Sequence, residues 1–270
     1  MPTPDVLLPY LEAAREAARR GAAVLEAWRQ RFSIREKARF DLVTDADLAS
    51  QKAIQEYLAG RFPDHGFLGE EDKSQQTRPG PNAPPTWIVD PLDGTTNYVH
   101  DCPLYCVSVG LQVNGELVVG VVFDPARNEL FAAARGHGAW LGDRRLQTSR
   151  AARLEEALLA TGFPPDLRGQ ELTLDWWRHF SLRTRSLRRT GSTALNLAYV
   201  AAGRFDGYWA FDNHVWDVAG GAVLVREAGG TITNVDGSPY NPYTPDALAS
   251  NGPLHPVLLH ELQTGPGGQT

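Results

Sequence analysis

The stretch WIVDPLDGTTNYVH, residues 87–100, ends an apolar strand in two carboxylates that stand three residues apart. The opening Trp-Ile-Val suits a buried strand, and Asp90 and Asp93 follow it directly. Pro91 stiffens the turn between the two acids, so we expect both carboxylates and the Leu92 carbonyl to converge on one region. The sequence therefore predicts a functional site at the end of this strand.

Small and hydroxylated residues, Gly94, Thr95 and Thr96, come directly after the second acid. A glycine lets the backbone approach a ligand closely, and N–H groups at the start of a following helix can bind an anion. Carboxylates for metal ions beside such a turn are the arrangement expected for metal-assisted hydrolysis of a phosphate ester. On these residues alone, a strand followed by an Asx-type turn with solvated acids is the alternative.

Acidic side chains also stand at the ends of other predicted strands and helices. They are Asp47, Glu70, Glu71 and Asp217. Carboxylates are the ligands that Mg²⁺ prefers, together with backbone carbonyls, waters and substrate phosphate oxygens. We therefore predict a magnesium site built from these acids, and bound magnesium would let an acidic site accept an acidic substrate.

The composition is that of an ordinary globular protein of 270 residues, with 42% hydrophobic residues, 21% charged residues and a formal net charge of -6. The charge argues against a general nucleic-acid or membrane surface, and no run approaches the length of a membrane span. The N-terminus has no signal-peptide pattern. Cys102 and Cys106 are too few for a disulfide framework and do not have the spacing of a zinc site, so we interpret them as reduced thiols in a cytoplasmic protein.

The hydrophobic pattern of the first half predicts two helices followed by β-structure. One helix covers residues 7–28, and a second begins after Thr44, its predicted cap. The residues of the second helix that we expect to face inward are Leu48, Ile54, Tyr57 and Leu58. Residues 73–85 form the one linker-like stretch, a predicted surface loop, and Asn114-Gly115 predicts a hairpin.

The second half is predicted to alternate between helices and strands. The predicted helices cover residues 153–159, 172–182, 191–203 and 216–229 and a final segment, and the strands cover 157–162, 184–190, 206–211 and 230–235. Alternation in both halves indicates helices packed in layers on sheets. Of the single residues near the acids, Lys37 and Asp45 are expected at the surface, and the pair Trp176-Trp177 in the core or a subunit contact.

Four segments of the chain resemble the inositol monophosphatase family. WIVDPLDGTTNYVH and WDVAGGAVLVREAGG, residues 216–230, resemble its two signature motifs, and GEE at 69–71 and DLVTDAD at 41–47 match its other landmarks. The resemblance runs from the first helix to about Asn251. It implies a magnesium-dependent, lithium-sensitive phosphatase with an αβαβα sandwich of alternating helix and sheet layers, usually a homodimer.

The resemblance also implies residue roles and two to three Mg²⁺ ions per site. Glu70, Asp90 and the Leu92 carbonyl resemble the ligands of the first metal ion, and Asp90, Asp93 and Asp217 those of the second. Thr95 with Glu70 would orient the attacking water, and Asp47 would organise the acids from just outside. The predicted substrate-binding residues are Asp93, Gly94, Thr95, Ser192, Thr193, Ala194 and Asp217.

In this scheme the chain is a single phosphatase domain over residues 1–270. Its N-terminal half, about 1–147, would hold metal and phosphate, and its C-terminal half, about 148–270, the rest of the substrate. One position departs from the family: an acid that accepts hydrogen bonds from sugar hydroxyls is expected seven residues before Asp217, where this chain has Ala210. Asp212 lies two residues further on, which is not a match, so the departure leaves the chemistry intact and the substrate open.

The leading hypothesis is a phosphomonoesterase for inositol monophosphate or a related small polyol or sugar phosphate. Fructose-1,6-bisphosphatase, histidinol-phosphate phosphatase and nucleotide 3'-phosphatase of the same superfamily are alternatives, although Asn97-Tyr98 after DGTT favours the inositol type. A non-catalytic regulator that binds metal ions or anions is an alternative from another class. The intact set of Glu70, Asp90, Asp93, Thr95 and Asp217 speaks against it.

Overall fold

The computed structural model describes residues 4–29, 31–72, 80 and 83–266. The α-helices among them are α1 (Leu8–Trp28), α2 (Asp45–Arg61), α3 (Thr95–Val99), α4 (Glu171–Ser181), α5 (Thr193–Ala201), α6 (Val215–Glu227) and α7 (His255–Thr264). The strands of the first half are β1 (Ile34–Ala38), β2 (Asp41–Thr44), β3 (Gly66–Gly69), β4 (Thr86–Asp93), β5 (Cys106–Val113), β6 (Glu116–Asp124), β7 (Glu129–Ala134), β8 (Gly138–Leu141) and β9 (Arg144–Arg145). Those of the second half are β10 (Leu158–Thr161), β11 (Ser186–Arg188), β12 (Gly207–Ala210), β13 (Thr231–Thr233) and β14 (Ala247–Ser250).

The larger sheet has seven strands in the order of the chain, from β3 to β9. Its first two strands, β3 and β4, are parallel, and every later neighbour is antiparallel. The predicted hairpin at Asn114-Gly115 is confirmed as the turn between β5 and β6. Asn114 has a φ of 52° and Gly115 a φ of 82°, the positive values that a two-residue hairpin turn requires.

The smaller sheet has five strands in the order β11-β10-β12-β14-β13. Strand β10 lies parallel to both of its neighbours, and β14 lies antiparallel to both of its own. Strand β14 was not predicted, because the short run ALAS carries little strand pattern between two loops. The helix predicted over residues 153–159 is wrong: only a 3-10 turn, Leu154–Glu156, precedes β10.

Five layers result, and they confirm the predicted αβαβα sandwich. Helices α1 and α2 pack on one face of the larger sheet, and α5 and α6 lie between the two sheets. Helices α4 and α7 cover the outer face of the smaller sheet through an apolar cluster that includes Trp176, Phe180 and Leu258. Helix α6 lies very close to the larger sheet at Gly120, where an added Cβ would come within 2.2 Å of the Gly220 carbonyl oxygen.

Helix α2 begins after Thr44 as predicted, but its buried face differs in one residue from the prediction. Ile54 and Leu58 are buried, whereas Leu48 is 40% exposed, so its inward orientation is wrong. Six residues of α-helix turn by about 600°, which places Leu48 roughly 120° away from Ile54 around the helix axis. The helix buries Asp47 and Ser50 on the sheet side instead.

The segment before α2 forms an unpredicted antiparallel hairpin of β1 and β2. Its turn contains Arg39 and Phe40, and Phe40 has a φ of 62°. The predicted loop at residues 73–85 lies mostly outside the described residues. Among the helices that the structure describes, none is long and apolar enough to cross a membrane.

Candidate active site

A β-bulge brings Asp90 and Asp93 to the same side of β4. Residues three apart in a regular strand point to opposite faces. Here Asp90 lies opposite Ser108 and Asp93 lies opposite Cys106, so three residues of β4 span two of β5. The extra residue restores a common face for both carboxylates. Pro91, which has no N–H to donate, lies inside this irregularity, where a proline does not interrupt the ladder.

Glu70 joins these acids through the parallel strand pair. Strand β3 ends at Gly69, and the Glu70 N–H donates to the Val89 carbonyl at 3.1 Å, next to Asp90. The Leu92 N–H donates to Asp90 Oδ1 at 3.0 Å and fixes that carboxylate from its own strand.

Two further acids enter the site as helix-capping residues. Asp217 lies in the first turn of α6, where its Oδ2 accepts the His214 N–H at 2.7 Å. Asp47 lies in the first turn of α2, where its Oδ2 accepts the Thr44 N–H at 2.9 Å and the Thr44 hydroxyl at 2.5 Å. Both acids thus have the helix-start role expected from their positions, and both also line or adjoin the acid cluster.

Asp93 connects β4 to the start of α5. Its Oδ2 accepts the Ser192 hydroxyl at 2.7 Å and the Ala194 N–H at 2.6 Å, and its Oδ1 accepts the Thr193 N–H at 3.2 Å. The predicted substrate-lining segment therefore holds a predicted metal ligand. Cys106 lies beneath this contact, with its thiol 3.8 Å from Asp93 Oδ2, and burial raises the pKa of that thiol.

Thr95 is the first residue of α3 and lies between two acceptors. Its hydroxyl is 3.2 Å from Asp47 Oδ1 and 3.1 Å from the Leu92 carbonyl oxygen. Gly94 before it has a φ of 99°, and a Cβ there would come within 2.8 Å of the Leu104 carbonyl. Only glycine fits this turn without strain, and the turn sets the direction of α3.

Most of these groups meet at a cavity of about 730 Å³. Glu70, Asp90, Leu92, Asp93, Gly94 and Thr95 line it from the first half of the chain, and Ser192, Thr193 and Asp217 line it from the second. Asp47 and Ala194 do not line it and act from behind Thr95 and Asp93. The β1–β2 hairpin and the segment 161–166 form its outer walls.

Crowding of carboxylates raises their pKa values. Burial raises the pKa of Asp90 well above its ordinary value, followed by the negative charges of Glu70, Asp93 and Asp217. Burial also raises the pKa of Asp217, with Asp93 as the next cause. The pKa of Asp47 rises from 3.8 to about 6 because of burial, although the hydrogen bond from Thr44 lowers it. A cluster of this kind favours bound cations.

Lys37 supplies one such cation, and its prediction as a solvated residue is wrong. Its Nζ lies 2.7 Å from Glu70 Oε1 and 2.6 Å from Glu71 Oε1, and only 17% of its side chain is exposed. The unpredicted hairpin explains this position, because it folds Lys37 over the end of β3. Asp45 is half-buried beside Arg35 at 2.7 Å, outside the cavity.

The carboxylate oxygens in this structure are turned toward protein donors. Within the described part of the chain, no three His, Cys, Asp or Glu side chains meet in a geometry that would hold a metal ion. The hydrogen bonds explain this: Glu70 pairs with Lys37, Asp93 with the start of α5, and Asp217 with the His214 N–H. The residue types, their burial and their mutual repulsion nevertheless fit Mg²⁺, whose ligands are hard oxygens.

Ala210 and Asp212 occupy different positions relative to the cavity. Ala210 ends β12, is 3% exposed and lies behind Gly162, where an added Cβ would be 3.2 Å from the Ala210 Cβ. Asp212 is exposed and lines the cavity. An acid is therefore present on this wall, two residues away from the family position.

The raised pKa values predict a stability that depends on pH and on metal ions. A carboxyl whose pKa is higher in the folded protein binds its proton more tightly there than in the unfolded chain, so protonation stabilises the fold. For Asp47 this stabilisation is fully present below pH 3.8 and is lost as the pH rises through about 6. For Asp47 alone the loss is about 2–3 kcal/mol. We expect the unfolding temperature in EDTA to fall between pH 5 and pH 8, and Mg²⁺ to restore it at pH 8 and add little at pH 5.

Thermal unfolding followed by circular dichroism at the two pH values, with EDTA and with Mg²⁺, checks this expectation. Asp45→Asn is the matched control, because it removes an acid of the same helix turn that lies outside the cavity. An unfolding temperature in EDTA that stays constant or rises toward pH 8 would contradict the electrostatic description of the site.

Several cavity residues were not found from the sequence. They are Arg39, Phe40, Phe163, Asp166, Arg189 and Asn196. Most of them lie on loops whose position depends on the packing of distant segments, so spacing along the chain carries no signal for them. The hydroxylated Gly-Ser-Thr run at 191–193 could have drawn attention to Arg189, which precedes it by two residues.

Comparison with known proteins places this geometry in a family. The model of the inositol monophosphatase family matches residues 7–266. An inositol-1-monophosphatase of Synechocystis sp. is 43% identical over 98% of this chain and 92% of its own length. The Pseudomonas aeruginosa protein named Nus factor SuhB is 41% identical over 94% of this chain and 96% of its own length. A solved structure, an IMPase/NADP phosphatase complexed with Mg²⁺ and phosphate, superposes with a TM-score of 0.79 at 25% identity, over 92% of each chain.

Proposed function

The chain belongs to the inositol monophosphatase family of phosphoric monoester hydrolases, and from that premise we propose that it hydrolyses inositol monophosphate or a related small polyol or sugar phosphate with Mg²⁺ as cofactor. One observation carries the proposal: four carboxylates, Glu70, Asp90, Asp93 and Asp217, share a cavity with the Thr95 hydroxyl. That hydroxyl is hydrogen-bonded to the buried Asp47. Acids that served only to cap helices or to stabilise the fold would not need the Thr95 hydroxyl beside them.

We propose that two to three Mg²⁺ ions bind to the Glu70, Asp90, Asp93 and Asp217 carboxylates and the Leu92 carbonyl. The Mg²⁺ and phosphate in the related solved structure support this assignment. When bound, these ions would withdraw electrons from the phosphate oxygens and neutralise their charge. Asp93 and Asp217 would give up part of their present hydrogen bonding, and Glu70 would give up part of its contact with Lys37.

The protein groups around the phosphate have separate tasks in this proposal. The backbone amides of Gly94 and Thr95, at the start of α3, hold the phosphate. The Thr95 hydroxyl accepts a hydrogen bond from the attacking water while donating its own hydrogen to Asp47 Oδ1, and Glu70 holds the water from the other side. Asp47 is ordered for this by its two hydrogen bonds from Thr44. The water is thereby oriented for in-line attack before the phosphate arrives.

The two halves of the chain divide the substrate in the same proposal. Residues of the first half, up to about 147, hold the metal ions and phosphate. Ser192, Thr193 and Asp212, which lies between β12 and α6, face the leaving group. We also propose a homodimer, as the family suggests. The substrate is proposed to be a small molecule rather than nucleic acid, because a net charge of -6 and an acidic cavity repel a polyanion.

The substrate test is a panel of small phosphate esters with Mg²⁺, with EDTA and with added Li⁺. We expect activity only with Mg²⁺, inhibition by Li⁺, and kcat/KM values for inositol 1-phosphate and glycerol 2-phosphate within roughly tenfold of each other. The reason is that Ala210 has no polar group that could bind one arrangement of substrate hydroxyls more tightly than another. A strong preference for inositol 1-phosphate would mean that Asp212 forms hydrogen bonds with the substrate hydroxyls. Absence of turnover on every ester would overturn the proposed function.

A further inference from the structure

Arg189 lines the cavity, and no acid among the described residues forms an ion pair with it. Three Lys and Arg side chains line the cavity. Lys37 pairs with Glu70 and Glu71, and Arg39 lies 3.9 Å from Asp166. Within the described ranges, Arg189 has neither an ion-pair partner nor a side-chain hydrogen bond. Its guanidinium is thus free to bind a ligand in a cavity that otherwise pairs its cations.

The backbone next to Arg189, whose side chain is exposed, leaves room for the guanidinium at the cavity wall. Gly191 has a φ of 87°, and a Cβ there would lie 3.1 Å from Arg189 Nη1 and 2.9 Å from Asn97 Nδ2. The absence of a side chain at Gly191 therefore lets the guanidinium lie across the turn. Asn97 fixes that turn by donating to the Thr190 carbonyl at 2.9 Å.

The Asn196 side-chain amide is a second donor on the same wall with no acceptor among the described residues. Asn196 is 1% exposed and lines the cavity, one turn into α5. Its Oδ1 accepts the Thr190 hydroxyl at 2.7 Å, and that hydroxyl in turn is 3.4 Å from the Ser192 N–H, so the amide orientation is fixed. In the part of the chain that the structure describes, its Nδ2 donates to no acceptor. Since Asn196 lines the cavity, this amide nitrogen can donate to a ligand bound there.

We propose that Arg189 and Asn196 bind a second anionic group of the substrate, at the end of the leaving group away from the ester. The proposal deepens the proposed function and rests on it. A guanidinium offers parallel donors that match the two oxygens of a carboxylate or a phosphate, and the amide adds a third donor. The preferred substrate is then a small phosphate ester that carries a second carboxylate or phosphate, rather than a neutral polyol phosphate.

Ser192 explains why this second site lies on the leaving-group side. Ser192 directly follows Gly191, and its hydroxyl donates to Asp93 at 2.7 Å. The wall that carries Arg189 thus starts where the acid cluster ends, on the C-terminal half of the chain. The reacting phosphate lies beside α3 in the N-terminal half in the proposed function, so one extended substrate would reach both.

The test uses three esters with one carbon chain. Glucitol 6-phosphate ends in a neutral hydroxymethyl group, gluconate 6-phosphate ends in a carboxylate, and glucitol 1,6-bisphosphate ends in a second phosphate. We expect kcat/KM, counted per phosphate, to be at least about tenfold higher for one of the charged esters than for the neutral one. Comparison of gluconate 6-phosphate with glucitol 1,6-bisphosphate shows whether the site binds a carboxylate or a phosphate.

Arg189→Gln should reduce that preference by at least about tenfold, and Arg189→Lys should restore part of it. Arg188→Gln is the matched control, because Arg188 is the neighbouring exposed arginine, bonds Ser186 and does not line the cavity. It should leave the preference within about twofold of the wild type. Equal rates on all three esters in the wild type, or an unchanged preference in Arg189→Gln, would overturn the inference.

Calorimetric binding of the same three esters, with Ca²⁺ in place of Mg²⁺, separates this inference from the proposed function. If the charged esters bind more tightly through Arg189 but no ester is hydrolysed, the second anion site stands and the proposed function fails. If all esters are hydrolysed without a charge preference, the proposed function stands and the anion site is wrong. An equal loss on all three esters in Arg189→Gln would assign Arg189 to the reacting phosphate and also overturn the inference.

Discussion

Asp93→Asn is expected to reduce kcat by more than about a thousandfold at saturating Mg²⁺, because the substitution removes one ligand and one charge from the proposed second metal site. Asp93 also shares its cavity wall with Asp217 and contributes to the raised pKa of that residue. An asparagine keeps the shape of the side chain but only one of its two oxygens. The effect on turnover therefore tests the charge of the side chain and not its size.

The fold should survive the substitution. Both oxygens of Asp93 accept donors from the start of α5, so the new amide nitrogen faces either the Thr193 N–H or the Ala194 N–H. An unsatisfied buried donor costs about 1–3 kcal/mol. Removal of one of several mutually repelling buried carboxylates offsets part of that cost in the metal-free protein. We expect an unchanged circular dichroism spectrum and an unfolding temperature in EDTA close to that of the wild type.

Steady-state kinetics with inositol 1-phosphate over a Mg²⁺ titration measures the effect. Asp45→Asn is the control, since it removes an acid with the same chemistry from the α2 start without touching the cavity. A purified, folded Asp93→Asn protein that retains most of its turnover would show that the assigned metal site is wrong.

Local signals account for what the sequence predicted correctly. The cap at Thr44, the Asn114-Gly115 turn and the burial of Ile54 and Leu58 on α2 depend on a few neighbouring residues, and they are where the sequence places them. The apolar strand that ends in the two carboxylates, Asp90 and Asp93, is also as predicted. These features need no knowledge of distant contacts.

Contacts between distant segments explain what the sequence did not predict. The common face of Asp90 and Asp93 depends on a bulge, and a bulge depends on the register with β5. Lys37 was expected in solvent because its role depends on a hairpin that folds over the end of β3. The same holds for Arg189, whose position depends on the turn that Asn97 ties down from the other half of the chain.

The Asp47–Thr95 pair lies between these two cases. Each residue was assigned to the site from the family motifs, but their hydrogen bond joins positions 48 apart in the chain. The contact forms because α2 starts at the hairpin and α3 starts at the bulged end of β4, and both starts meet at one edge of the larger sheet. The family motif specifies the residues, and the packing of the two helix starts specifies their contact.

Thr95→Ala is the second substitution with a large expected effect, a decrease in kcat of about 10²–10³-fold with little change in KM. The Thr95 hydroxyl would hold the water only along the path to the transition state, so its loss lowers the rate more than it weakens substrate binding. Thr95→Ser, which keeps the hydroxyl and removes the methyl group, should recover at least about tenfold of the lost rate.

The measurement separates a role in orienting water from a role in structure. Thr96→Ala is the matched control on the same helix, because Thr96 lines the same cavity but is exposed and makes no side-chain hydrogen bond within the described residues. Asp47→Asn should lower kcat in the same direction as Thr95→Ala, and the double variant should lose little more than either alone, because the two residues would act as one unit. A large increase in KM at unchanged kcat would make Thr95 a binding residue for the phosphate. Additive losses in the double variant would mean that the hydrogen bond between Thr95 and Asp47 has no part in the chemistry.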